Sequence, residues 1–363
     1  MTQRTLPQPL KKAFLRQQQA CDSLGSAFTA LLCGTIAERG LPASRVYETL
    51  SDWPGDPSAN GDSVPLRLCG ALHELVLIGK EAALAELYPP NHADIDAAGL
   101  HRAVSAAIDR HDDWICLRLH NAPQTNEIRR AVAVYAALLH IGAATARPIV
   151  LSELGSSAGL NLLLDGFSYR FAGRQYGIKG SQVHLEPNWS GPLPPAAEIS
   201  VAERRGCDLQ PFDLTDDADR LRLLSYVWAD QSDRIERLHA AMALHRERPV
   251  AVDAADAVEW LDRRLRKPLA GHAHVVFHTI AWQYLPEGRR RRGQGVIEAA
   301  GARATPDAPL FRIGLEADGR SPGAALTLQG WPGGVELELA RVDFHGRWVR
   351  WNENGHPLLR NEM

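Results

Sequence analysis

Cysteine is scarce in this chain. The five cysteines (Cys21, Cys33, Cys69, Cys116 and Cys207) are scattered over 363 residues, and none forms a C-x-x-C pair. Such a set makes neither a zinc site nor a disulfide framework, and it suits a reducing cytoplasm. Charge of one sign is also missing. The formal net charge of −3 gives no reason to expect nucleic acid or an anionic membrane as a partner. Long hydrophobic runs are absent as well. The most apolar stretch, "AVAVYAALLHIGAATA" at 131–146, is too short to span a bilayer and contains His140, so it reads as a buried helix. The opening residues "MTQRTLPQPLKKAFLRQQQAC" lack the apolar core of a signal peptide. Neither repeats nor low-complexity tracts occur. With 45% hydrophobic residues, a soluble protein with a large core and two domains is expected.

What is present divides into two textures. Up to about residue 145, apolar residues recur at spacings of three and four, which predicts helices over 8–21, 26–39, 64–87, 95–119 and 125–143. The turn-rich "SDWPGDPSANGDS" (51–63) separates them. From Arg147, short apolar runs alternate with helix-like stretches. The runs are "PIVLSEL", "EISVAERRGCD", "RPVAVDAAD", "HAHVVFHTIAW" and "PLFRIGLEAD"; the helical stretches are chiefly 159–167, 216–247, 256–266 and 287–301. That alternation predicts a parallel sheet covered by helices on both faces. "YRFAGRQYG" (169–177) reads as a small inserted hairpin. The tail "ALTLQGWPGGVELELARVDFHGRWVRW" reads as consecutive strands, with Pro-Gly-Gly turning a hairpin that closes one sheet edge. The expected domains are a helical region, 1–145, and an α/β domain, 146–363.

The stretch "RPIVLSELGSSAGLNLLLDGF" (147–167) bears on function. A strand, a Gly-Ser-Ser-Ala-Gly turn and an apolar helix start follow one another, and ligands of open parallel sheets bind beyond such strand ends. The ordinary reading is glycine used only to pack a helix on a sheet. As G-x-S-x-G, the turn is a hydrolase nucleophile elbow with Ser157 attacking. That reading needs an earlier strand for its oxyanion loop, and none is predicted upstream of Arg147. Asp318 and His345 have the required chain order, but His345 reads as strand interior. As E-x-G-x-S-x-G, the turn is the glycine loop of an S-adenosylmethionine (SAM) site. Glu153 ends the strand with a carboxylate, which is costly beside a sheet core without a partner. SAM carries an ammonium and a sulfonium and no phosphate, so a carboxylate suits it. Gly155 and Gly159 let the backbone approach closely, and the small Ser157 and Ala158 leave room. Asn161 completes the loop, and this reading is preferred.

Later segments supply further candidates. Asp208 ends the second strand, where an acid can accept both ribose hydroxyls; a turn or cap is its ordinary reading. Asp253 and Asp256 end the third strand near the expected adenine amino group, although Asp256 equally suits a helix cap. "VVFHTIAWQYLP" places His278, Trp282, Gln283 and Tyr284 at and beyond the fourth strand's end. There His278 is the candidate base, with Tyr284 and Glu127 as further catalytic groups, and Trp282 and Gln283 orienting the acceptor. A histidine on an apolar strand is otherwise a satisfied core residue. "QTNEIRRA" offers Gln124 and Asn126 to the substrate from a helix roofing the pocket, or is a solvated helix start. "GRRRRG" (288–293) is an anion patch or a solvated face.

Taken in order, "RLHNAPQTNEIRRA", "ELGSSAGLNLLLDGFSYRF", "GCDLQPFDLTD", "RLLSYVWADQ", "VVFHTIAWQYLP" and "ALTLQGWPGG…ARVDFHGRWVRW" resemble a bacterial family, domain-of-unknown-function family 2332, over almost the whole chain. The resemblance implies an uncharacterised, methyltransferase-like Rossmann domain behind a helical region, and it brings no substrate. The expectation is therefore an α/β protein with a Rossmann-like class I methyltransferase sheet, mostly parallel, after an all-helical start. It would be a cytoplasmic enzyme using SAM on an unidentified acceptor, with a small molecule favoured. An α/β-hydrolase-like esterase and a non-catalytic Rossmann-like binding protein are the alternatives.

Overall fold

Where the chain changes texture is not where it divides in space. The computed structural model describes residues 2–91 and 95–353. Its two compact units are Met1–Thr125 with Asp213–Glu236, and Asn126–Phe212 with Arg237–Met363. The apolar helix Ala131–Thr145 thus belongs to the second unit, and 213–236 to the first.

In the first unit the spacing of apolar residues becomes helices Gln8–Ser23, Ala27–Arg39, Val64–Leu77 and Ala97–Leu119 around Phe14, Leu32, Ile36, Leu68, Leu72 and Ile108. The expected helix over 64–87 stops at Leu77. Gly79 takes a left-handed φ of 68°, and the Gly79 and Lys80 amides bond back to Val76 and Leu75, a Schellman-type ending. A four-residue turn of helix, Ala82–Ala85, follows. A two-stranded ribbon of Gln3–Arg4 and Leu41–Pro42 adds strands that spacing does not show. Side chains explain why 213–236 belongs here. Asp230 accepts from the Ser26 hydroxyl (2.5 Å) and the Phe28 amide (2.9 Å) at the start of Ala27–Arg39, and Gln231 donates to Leu24 O at 3.1 Å. The helical stretch 216–247 is two helices, Asp217–Ser225 and Ser232–Glu247.

The second unit is built on a nine-stranded sheet. In chain order its strands are β1 (Ile149–Leu154), β2 (Asn188–Ser190), β3 (Val201–Asp208), β4 (Ala251–Ala254), β5 (Ala273–Thr279), β6 (Leu310–Glu316), β7 (Ala324–Trp331), β8 (Val335–Val342) and β9 (Trp348–Trp351). Their spatial order is β2-β9-β8-β7-β6-β5-β1-β3-β4. The run β4-β3-β1-β5-β6 is parallel throughout, and β6 to β9 form an antiparallel meander. Central parallel strands are covered on both faces, so they read as continuous apolar runs. Every residue of β1 and β5 is buried. Helix Ala131–Thr145 is buried at every position from Ala131 to Gly142, so its sequence shows no polar face. It packs on β5 and β6.

One expectation about the sheet needs correction. The Pro-Gly-Gly hairpin β7–β8 is internal to the sheet, because β9 and then β2 pair outside it. The edge is thus supplied by β2, from the insertion after β1. The inserted hairpin forms as Ser168–Phe171 and Arg174–Gly177, turned by Ala172 and Gly173 at φ 43° and 83°, and His184–Leu185 makes it three-stranded. Among the described residues no helix is long and apolar enough to cross a membrane.

Candidate functional site

Chain order reverses about β1, with β3 on one side and β5 on the other, and this is where ligands of such sheets bind. The loop leaving β1 is held from both sides. The Gly155 and Ser156 amides donate to Cys207 O on β3, at 2.9 and 3.0 Å, and the Gly159 amide donates to Ser156 O at 2.7 Å. Gly155, Ser157 and Gly159 all have left-handed φ, at 68°, 56° and 72°. A Cβ on Gly155 would lie 2.6 Å from the Ala281 Cβ, and one on Gly159 2.7 Å from a Val252 methyl. Close packing of the turn, the ordinary reading, is therefore part of what these glycines do.

Several predicted residues meet here. Asp208 ends β3 as expected, and its carboxylate holds the loop: Oδ2 accepts from the Ser157 amide (2.9 Å) and Oδ1 from the Gln210 amide (3.0 Å). Asn126 Oδ1 accepts from the Leu160 amide at 2.9 Å, and the Asn161 side-chain amide donates to Glu127 O at 3.3 Å. The "QTNEIRRA" segment is thus sewn to the glycine loop and is no solvated helix start, since Asn126 and Glu127 are buried. Gln124 lies within the first unit. The 125–143 prediction resolves into a 3-10 turn, Ile128–Arg130, capped by Glu127, and the helix Ala131–Thr145, which packs on the sheet.

Other predicted residues are engaged elsewhere. Asp256 caps helix Ala257–Arg264 through the Val258 and Glu259 amides (2.9 and 3.2 Å), its ordinary reading. Asp253 takes a two-pronged bond from Arg205 and one from the Trp260 indole, all at 2.7 Å, and these hold its carboxyl at about 2. Of the "GRRRRG" arginines, Arg289 and Arg292 pair with Glu259, and Arg291 with Glu287.

His278 is 1% exposed and both ring nitrogens are engaged. Arg312 Nε donates to Nε2 at 3.1 Å, so Nδ1 carries the proton and donates to Glu316 at 2.7 Å. Burial lowers its pKa, and the Glu316 bond only partly offsets that. No ring nitrogen is open to a substrate proton, so the expected base is a satisfied core histidine in this arrangement. Trp282 stacks on the ring at 5.2 Å, and Arg312 lies over the Trp282 face at 4.7 Å. Gln283 Oε1 accepts from the Ala317 amide at 3.0 Å, while Tyr284 is 62% exposed. Neither Glu316 nor Arg312 is singled out by sequence reasoning. For Glu316 a signal does exist: an acid ending an apolar strand, the same pattern that marks Glu153.

Three buried polar atoms of the loop have no hydrogen-bond partner among the described residues: Glu153 Oε2, Ser157 Oγ and Asn161 Oδ1. Their residues are 2%, 5% and 2% exposed. Burial drives the Glu153 carboxyl well above the ordinary range; a Ser156 bond opposes this, Asp208 adds to it and Arg130 opposes it. Orphaned buried acceptors are uncommon in native proteins and point to an additional donor. The Asp318 carboxylate is held by Arg341 and Arg320, and His345 sits in the turn between β8 and β9 rather than within a strand. Among the described residues no three His, Cys, Asp or Glu side chains are grouped to hold a metal.

Among curated proteins none matches the chain. Residues 11–351 match the family described as "Uncharacterized protein conserved in bacteria (DUF2332)", and the chain belongs to that family.

Proposed function

We propose that the second unit binds SAM and is a methyltransferase acting on a small-molecule acceptor. The observation that carries this is the trio of orphaned buried acceptors, Glu153 Oε2, Ser157 Oγ and Asn161 Oδ1, on the loop beyond the central strand. A buried carboxylate needs a cation and donors together, and an ammonium supplies both. Phosphate ligands would instead bring further acceptor oxygens to Glu153 Oε2, Ser157 Oγ and Asn161 Oδ1 and supply them no donors. The parallel order β4-β3-β1-β5-β6 supports a Rossmann-like, methyltransferase-type reading of the sheet. When bound, SAM supplies a methyl group already activated by its sulfonium. The chain's own tasks are alignment and exclusion of water. In this reading Glu153, Ser157 and Asn161 hold the ammonium, and Asp208 keeps the loop shaped while sharing its oxygens with the ribose. Tyr284, the exposed member of the fourth-strand cluster, meets the acceptor.

Adding SAM or S-adenosylhomocysteine in thermal-shift and calorimetric titrations tests the reading. At a hundredfold excess over Kd the gain in stability is about 2.7 kcal/mol. No shift and no heat at millimolar ligand would remove the function and leave the fold untouched.

The esterase reading retains one favourable observation, the left-handed Ser157 with its unpartnered hydroxyl in a strand-to-helix turn. Ser157→Ala separates the two readings. Under the SAM reading fluorophosphonates do not label Ser157, and the variant weakens SAM binding by roughly 2- to 13-fold, the loss of one neutral hydrogen bond. Labelling at Ser157, with ester turnover abolished by the substitution, reverses the order of the two readings.

A further inference from the structure

Glu316, at the end of β6, collects an unusual number of donors. Its Oε1 accepts from His278 Nδ1 (2.7 Å) and from the Ala281 and Trp282 amides (both 3.0 Å), and Oε2 accepts from the Gln283 amide at 3.3 Å. Three successive amides can converge on one carboxylate only if the chain turns sharply after β5. Ile280 makes that turn with a left-handed φ of 50°, a strained value for a β-branched residue. The amide of Ile280 is tied to β6 as well, through Leu315 O at 2.8 Å. The turn delivers the Ala281 methyl to Gly155, so closely that a Cβ there would lie 2.6 Å away. Arg312 and Gln294 complete the assembly: Arg312 bonds His278 and Gln294, which fixes the tautomer that donates to Glu316.

We propose that Glu316 is a positioning residue for the glycine loop: it holds the turn 280–283 so that Ala281 braces Gly155, and it thereby sets the loop that carries Glu153, Ser157 and Asn161. This goes beyond the cofactor reading. It rests on that reading only for its binding arm, because the mechanical link is a property of the chain itself.

The test uses full-length protein and three variants, Glu316→Ala, Glu316→Gln and Ala281→Gly. Hydrogen exchange reads the link without a ligand. In Glu316→Ala, amides of 280–285 and of 153–160 exchange faster together, while those of Ala131–Thr145 keep their protection. Glu316→Gln, which retains acceptor oxygen, restores most of the protection. Ala281→Gly leaves the Glu316 bonds in place and speeds only 153–160. In the binding arm, Glu316→Ala weakens S-adenosylhomocysteine by about tenfold, within the roughly 2- to 30-fold range of residues acting through packed neighbours, and Glu316→Gln recovers it. Faster exchange confined to 280–285, or an unchanged 153–160 loop in Ala281→Gly, overturns the proposal. A wild type that binds no S-adenosylhomocysteine counts against the cofactor reading alone, and the exchange data still decide the positioning role. Should Glu316→Ala not fold, Glu316→Gln and Ala281→Gly carry the test.

Discussion

Glu153→Gln weakens SAM binding by roughly 30- to 5,000-fold while unfolding at no lower temperature than the wild type. The carboxylate is 2% exposed, and its Oε2 has no hydrogen-bond partner among the described residues. Removing one member of a buried, hydrogen-bonded charge pair costs about 2–5 kcal/mol, or roughly 30- to 5,000-fold in Kd. In the ligand-free chain the same carboxylate is a burden, so its replacement by a neutral isostere does not weaken folding. The pH dependence makes the expectation sharper. Burial holds the folded pKa of Glu153 well above its unfolded value, so the folded chain keeps the proton more tightly. The stability associated with this group is complete below the unfolded pKa and is lost as pH rises through the folded one. A cation binds the ionised form, so affinity grows with pH over that window and binding releases a proton. Titrations in buffers of different ionisation enthalpy measure the release. Wild-type affinity retained by Glu153→Gln, or heats independent of buffer, would falsify the assignment of Glu153 to the ammonium.

Gly155→Ala lowers stability by about 2–5 kcal/mol, combining about 1–2 for a left-handed residue with a Cβ and about 1–3 for overpacking. The backbone φ is 68°, and the new methyl would lie 2.6 Å from the Ala281 Cβ. Denaturant unfolding measures the loss. The double variant Gly155→Ala, Ala281→Gly removes the clash but not the φ penalty, so it recovers the overpacking share only. If the second substitution recovers nothing, the contact with Ala281 is not the cause.

Residues whose environment is set by their neighbours in the chain are legible in the sequence itself. The parallel strands β1, β3, β4, β5 and β6 fall within the five runs read as strands. Every residue of β1 and β5 is buried, so these two are almost continuously apolar, whereas β3 and β4 are mostly exposed or half-buried and carry Glu203, Arg204, Arg205 and Asp253. Helix Glu287–Gly301 has the predicted limits. The loop 153–161 declares itself through an acid beside glycines, since a carboxylate at the end of a buried strand is costly to keep out of water. Asp256 shows its cap by standing just before an amphipathic helix.

Long-range pairing is not legible. Nothing local in "NWS" says that Asn188–Ser190 pairs with Trp348–Trp351 and takes the sheet edge from the Pro-Gly-Gly hairpin. Nothing in "VVFHTIAW" says that His278 spends both nitrogens on Arg312 and Glu316, which lie 34 and 38 residues away. The return of 213–236 to the first unit depends on Asp230 reaching Ser26, a separation of 204 residues. Apolar periodicity and turn chemistry act over a few residues, so sequence by itself determined most helices of the first unit, the parallel strands of the second and where the glycine loop lies. Which polar side chains are already satisfied is decided by partners brought from distant segments. Only the tertiary structure could therefore separate the saturated His278, Asp253 and Asp256 from the unpartnered acceptors of Glu153, Ser157 and Asn161.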